Sequence, residues 1–221
     1  MFFFVSLHKN HRQKQIIMAE INDYRKDLRQ RIIDYAMPEF YKRGIRAVKM
    51  DEISQFLHVS KRTVYEIFGD KEELLLAGMQ QCSAEMHKKI EEYARNEAHN
   101  VIDIMGYFYK VQMHVNQQVG VAFYEEIHHM ARIQEYMQHE NRLQHEDRIR
   151  FLEAGVKEGL FRKDLDYQVA LELIHVSMSE IMHQQLYKKY TMQQLFDNYL
   201  LIVFRGICTE RGLALLNRAL N

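Results

Sequence analysis

Apolar residues recur at steps of three and four through nearly the whole chain, and almost nothing interrupts them. One proline and nine glycines in 221 residues leave long helices few breakers, and alternating strand patterns are scarce. This predicts an all-α fold long enough to bury a sizeable core. Cys82 and Cys208 make no disulfide framework and fit a reducing, cytoplasmic compartment. No uncharged run approaches transmembrane length, so no membrane association is expected. Phe2-Phe3-Phe4-Val5 is too short for the core of a signal peptide, and no basic residue precedes it.

The first strongly patterned helix is expected over about 22–42. Leu28, Ile32, Ala36 and Phe40 fall four apart, with Ile33 and Met37 widening the stripe. Pro38 cannot donate to the carbonyl of Asp34 and predicts a kink. Lys42-Arg43 followed by Gly44 reads as a cationic last turn and a stop. A short helix over about 50–57 turns Ile53 and Leu57 inward, and His58-Val59 makes a turn. Ser60 caps a third helix, in which Val64 and Phe68 face the core. Asp70 and Glu73 open a fourth as a variant capping box, running to about Asn96. The segment Met50 to Phe68 thus has the layout of a helix-turn-helix, whose second helix lies in a DNA major groove.

The residue types suit that task. A helix entering the groove needs short side chains at its N-terminal end and cations or hydroxyls that reach phosphates and base edges. Ser60, Lys61, Arg62 and Thr63 meet both needs, and Tyr65 lies one turn on. Lys71 falls in the first turn of the fourth helix, where backbone N–H groups favour an anion. The net charge is zero, but residues 1–70 hold 13 Lys+Arg against 9 Asp+Glu, and the remainder 17 against 21. A basic head on an acidic body presents one end to a polyanion.

Residues 24–76 resemble the DNA-binding domain of the tetracycline-repressor (TetR/AcrR) family of transcriptional regulators. The resemblance runs through Ile32, Ala36, Phe40, Gly44-Ile45 and Met50-Asp51-Glu52-Ile53-Ser54. It continues through Val59-Ser60-Lys61-Arg62-Thr63-Val64-Tyr65-Glu66-Ile67-Phe68 and Lys71-Glu72-Glu73-Leu74. A second match, from Gly155 to Asp166, resembles the loop before the last two helices of family members. The resemblance implies a three-helix, homeodomain-like head, a homodimer, a palindromic double-stranded operator, and repression relieved by a small ligand. It also implies that Lys61, Arg62 and Thr63 approach bases or phosphates, while Tyr65 and Lys71 hold the backbone. Two positions depart from the family pattern. Lys49 stands where Thr often caps the second helix, keeping a phosphate contact and losing the cap. His58 stands where the turn usually holds Gly, and must take a positive φ to keep the angle between the two helices.

The expected organisation is an N-terminal extension over 1–21, the head over 22–76, and a helical ligand-binding and dimerisation domain over 77–221. In the last, helices are predicted over 101–118, 122–138, 140–158, 165–189 and 192–216. The final two carry regular apolar stripes, Val169, Leu173 and Val176 on one and Phe196, Leu200, Val203 and Ile207 on the other. Two such helices per subunit would form a four-helix interface, with Gly206 small enough for close approach. Candidate pocket residues are Met86, Tyr93, Met105, Tyr109, Met113, Phe123, Tyr124, His128, His175, Met178 and Met182. Thirteen methionines make an adaptable lining for an apolar or aromatic effector. The fourth helix, packed on the head and carrying Lys71, is expected to transmit ligand binding.

Twelve histidines include a cluster at His128-His129 beside Glu125-Glu126, but no metalloprotease or zinc spacing, so no metal or other cofactor is expected. No nucleophile elbow, P-loop or dinucleotide fingerprint is present, and an enzyme is not expected. The alternatives are a helical protein-interaction module and a DNA binder that senses no ligand.

Overall fold

The computed structural model describes the backbone of residues 2–220; in the first helix it describes the side chains of Met18 and of Asn22 onward. The N-terminal extension expected over 1–21 otherwise falls on residues whose side chains lie outside the described ones. Among the described residues the fold is all-α. It comprises α1 (Phe2–Arg43), α2 (Met50–Phe56), α3 (Lys61–Ile67), α4 (Lys71–Asn96), α5 (Val101–Gln118) and α6 (Val121–His128). It continues with α7 (Ala131–Leu143), α8 (His145–Lys157), α9 (Tyr167–His183), a 3-10 turn (Leu186–Lys188), α10 (Met192–Ile207) and α11 (Glu210–Leu220). The helix expected over 22–42 is thus drawn as starting at Phe2, with Pro38 inside it on an exposed face.

The head assembles as its apolar spacing requires. Leu28, Ile32, Ala36 and Phe40 of α1 are fully buried with Ile53, Val64, Leu74 and Leu75. Gly44 ends α1 in the left-handed region at φ +86, and Arg43 joins Glu39 on its own helix to Glu52 of α2. That guanidinium, with the Lys49 backbone N–H, holds the Glu52 carboxyl below the usual range. The Lys49 side chain makes no capping hydrogen bond, so α2 begins without an N-cap side chain.

The same core does not stop at the head. Phe123 and Ile127 of α6 and Ile133 of α7 are buried within it. A second core joins Val101, Ile102 and Met105 of α5 to Leu152 of α8, Leu160, Phe161, Ile207, Cys208 and Leu216 of α11. The molecule is therefore held by a head-plus-α6/α7 core and a separate α5/α8/α10/α11 core, with α4 running from one towards the other.

Three predicted helices in the second domain are broken. The run expected over 122–138 is α6 and α7, parted at His129-Met130. The run over 192–216 is α10 and α11, parted where Cys208 pairs with Phe161: Arg162 N–H donates to the Ile207 carbonyl at 2.8 Å and Thr209 N–H to the Leu160 carbonyl at 2.9 Å. The run over 165–189 ends at His183 and resumes as the 3-10 turn. Tertiary hydrogen bonds decide the α10–α11 break. Three helices, not two, consequently follow the Gly155–Asp166 segment.

Candidate nucleic-acid interface

Ser60 sets up α3. Its backbone is extended, and its Oγ accepts the Thr63 N–H at 3.0 Å. The Thr63 hydroxyl lies 2.7 Å from the same Oγ, so it belongs to the cap as well as to the surface. His58 adopts φ 55, the left-handed conformation that the turn demands. Val64 and Phe68 anchor the helix inward, leaving Lys61, Arg62 and Tyr65 exposed on the other side.

The cations on this surface have acidic neighbours. Lys61 Nζ lies 2.8 Å from Asp51 of α2, and its ammonium lies over the Tyr65 ring, 5.9 Å from the centroid. Arg62 Nε reaches Glu66 at 2.7 Å with 88% of its side chain in solvent. Exposed pairs of this kind are screened by solvent and contribute little, so a phosphate can exchange for the carboxylate at little cost. Lys49, the α2 N-cap, is exposed. These cations and hydroxyls lie around the N-terminal ends of α2 and α3, an arrangement able to meet phosphates and base edges together.

Lys71 is differently placed. Its ammonium donates to the Ile45 carbonyl at 2.9 Å and to Arg46 at 3.4 Å, satisfying the loop after α1. Burial holds it below the ordinary lysine range; the Glu126 carboxylate opposes this shift and Lys49 adds to it. A cleft of 440 Å³ opens here, lined by Ile45, Arg46, Asp70, Lys71, Glu72, Glu126, His129 and Met130. Glu126 of α6 accepts the Arg46 N–H at 2.8 Å. Sequence reading did not single out this pair, and no local signal could: its members are 80 residues apart.

The candidate pocket residues are dispersed. Met105 and Met113 are buried, Met105 within the second core. Tyr93 stacks on Tyr107 at 4.2 Å, and the Tyr109 hydroxyl donates to Asp197. Phe123 packs in the head core, and Tyr124 lies between Phe123 and Tyr187, with burial pushing its phenol up to about 12. His128 sits beside His129 and His183, whereas exposed His175 meets Asn141. Met86, Met178 and Met182 are half-buried. Among the described residues no three His, Cys, Asp or Glu side chains converge to hold a metal ion, and no helix is long and apolar enough to cross a membrane.

The candidate interface divides. Val169, Leu173 and Val176 lie in solvent, and α9 has no buried residue. Phe196, Leu200 and Val203 are half-buried, and Gly206 faces open space. Ile207 is 9% exposed and packs in the second core beside Cys208. Ile202, not anticipated, is the exposed apolar residue of α10, at 71%.

Residues 32–77 match the family described as bacterial regulatory proteins, tetR family. The chain is similar to the HTH-type transcriptional repressor KstR2 of Mycobacterium tuberculosis, 24% identical over 200 residues, covering 88% of this chain and 98% of that one. Its fold is similar to that of a transcriptional regulator from Saccharomonospora viridis in complex with choline, at TM-score 0.64 and 16% identity, over 84% of this chain and all of that one. It is also similar to FadR of Bacillus subtilis in complex with stearoyl-CoA, at TM-score 0.57 and 18% identity, over 80% and 98%.

Proposed function

We infer that the chain, whose residues 32–77 match the tetR family of bacterial regulatory proteins, is a DNA-binding transcriptional repressor that holds a palindromic operator as a homodimer and releases it when a small effector binds the second domain. The observation that carries this reading is α3: capped by Ser60, anchored by Val64 and Phe68, and presenting Lys61, Arg62, Thr63 and Tyr65 outward beside Lys49. Lys71 serves this reading by fixing the loop before α2 and by its charge near the phosphates, rather than as a free cation.

One head contacts few phosphates. Two heads about 34–36 Å apart would meet successive major grooves on one face of the duplex. The apolar, unburied face of α9 with Ile202 of α10 supports a pairing surface on the second domain. Choline and stearoyl-CoA in the related structures differ widely, so they support a sensory second domain without fixing its ligand. The methionines and tyrosines of α4, α5, α6 and α9 favour an apolar or aromatic effector. Unpaired Cys82 and Cys208 suit the cytoplasm.

The test is selection of duplexes from a random library, followed by fluorescence anisotropy across a salt series. The expected product is an inverted repeat whose binding weakens steeply with salt. Failure to enrich any duplex, or binding indifferent to salt, would overturn the reading. A panel of apolar compounds then separates effector-released from effector-independent binding.

A further inference from the structure

The head and second domain meet at two kinds of contact. α4 packs on α1 through apolar surface, with Gly78 directly against the Met37 side chain. α6 makes both apolar and polar contacts. Phe123 and Ile127 enter the head core, while Glu126 on the same helix accepts the Arg46 N–H at 2.8 Å. Arg46 belongs to the loop that joins α1 to α2, and hence sets how the helix-turn-helix is aimed. The fit around that carboxylate is close. A Cβ built on Gly44 would lie 2.9 Å from Ala122 Cβ and 3.4 Å from both Glu126 oxygens. Just before α6, Gly120 N–H donates to the Tyr41 carbonyl at 2.8 Å, and a Cβ there would lie 3.1 Å from the Lys42 carbonyl. From the other side, Lys71 of α4 holds the Ile45 and Arg46 carbonyls. The α1–α2 loop is therefore gripped between α6 and α4, with its amide held by one and its carbonyls by the other.

We propose that Glu126 is a positioning residue that latches α6 to the α1–α2 loop, so that α6, not α4 alone, carries the conformational signal between the second domain and the DNA-reading helices. A backbone amide offers one donor in a fixed direction, so a displacement of α6 either breaks the bond or drags the loop with it. This makes the contact a two-state link. The link must run both ways: fixing the head on DNA must also quiet α6. The latch rests on the reading that α3 binds duplex DNA.

Hydrogen exchange of the full chain, with and without a library-selected duplex, tests it without knowledge of the effector. In the wild type, the duplex is expected to slow exchange in α2–α3 and also across 121–130, by about ten-fold, within the range of ordinary coupling. In Glu126→Ala the slowing across 121–130 should vanish while that in α2–α3 remains. Glu126→Asp withdraws the carboxylate by one methylene and should behave alike, carrying the test if the alanine variant does not fold. Glu126→Gln keeps an acceptor oxygen at the same reach and should restore the slowing. A residue that merely stabilised α6 would raise its exchange in the free protein and leave the duplex effect intact; that outcome overturns the latch alone. If no duplex is selected by the wild type, the DNA reading falls and the latch with it.

Discussion

His58 holds a backbone conformation that disfavours a side chain, because in the left-handed region Cβ crowds the neighbouring carbonyl. The need for a positive φ at this turn is legible from the resemblance, and the structure satisfies it with histidine. Glycine would relieve the strain, less the entropy that it adds to the unfolded chain. His58→Gly is expected to stabilise the folded chain by about 0.5–1 kcal/mol, read as a raised urea midpoint at unchanged slope, with the α2–α3 angle and DNA affinity retained. The cysteines make a second case at this scale. Burial pushes the Cys208 thiol up to about 11 from an ordinary 9, and Cys82 is raised mainly by burial too. Between pH 9 and 11 the unfolded chain gives up the Cys208 proton while the folded chain keeps it. That contribution to stability is whole below pH 9 and is lost as pH climbs through 11. The urea midpoint should therefore fall from pH 8.5 to pH 10.5, and fall less in Cys208→Ala. Neither burial is evident from sequence, since Cys208 lies in a predicted helix and its bridge partner Phe161 is distant in the chain.

At the level of elements, the readable helices are those whose ends are set locally. α5 spans Val101–Gln118 behind Asn100, whose side chain accepts two N–H groups, and α4 begins at Lys71 behind Asp70; both starts carry their own caps. The α6–α7 break was not legible, because no proline or glycine marks it, and at the α10–α11 break Gly206 alone, held inside α10, does not signal a stop. In the second case, bonds to the Leu160–Arg162 segment supply the stop. α3 shows what a local cap contributes to function. It is seven residues long, too short to persist without tertiary support, and its first turn is fixed by one serine. Ser60→Ala should cost about 1 kcal/mol of stability and frays the end that would face DNA. The expected outcome is weaker duplex binding, with faster amide exchange confined to 61–64; slower dissociation or an unchanged exchange pattern would contradict it. Arg62→Ala leaves the cap intact and should instead reduce the salt slope by about one.

Across the whole molecule, the division of apolar surface follows from the two cores. α1 to α4 with α6 and α7 close one core, α5, α8, α10 and α11 close the other, and α9 contributes no buried side chain. The head was legible because its spacing is dense and local, whereas the sharing of α6 between head and body depends on contacts such as Glu126 to Arg46 that no periodicity encodes. α9 nevertheless carries Val169, Leu173 and Val176 at more than half exposure, one turn apart on a common stripe, and Ile202 stands on the neighbouring α10 at 71%. Apolar side chains left together in water favour a partner surface, and an isologous contact between two copies would cover them. If so, breaking that contact separates the two heads without disturbing either one. Leu173→Glu combined with Val176→Glu introduces like charges at the centre of the stripe while touching neither core. Sedimentation should then give a monomer with helical content and head stability unchanged. Duplex affinity should fall by about a hundred-fold or more, because the second head no longer binds at the effective concentration that linkage provides. Each isolated head should still protect a half-site at low salt. A variant that stays dimeric would place the pairing surface elsewhere, and a monomer that binds the full operator as tightly as the wild type would remove the need for two heads.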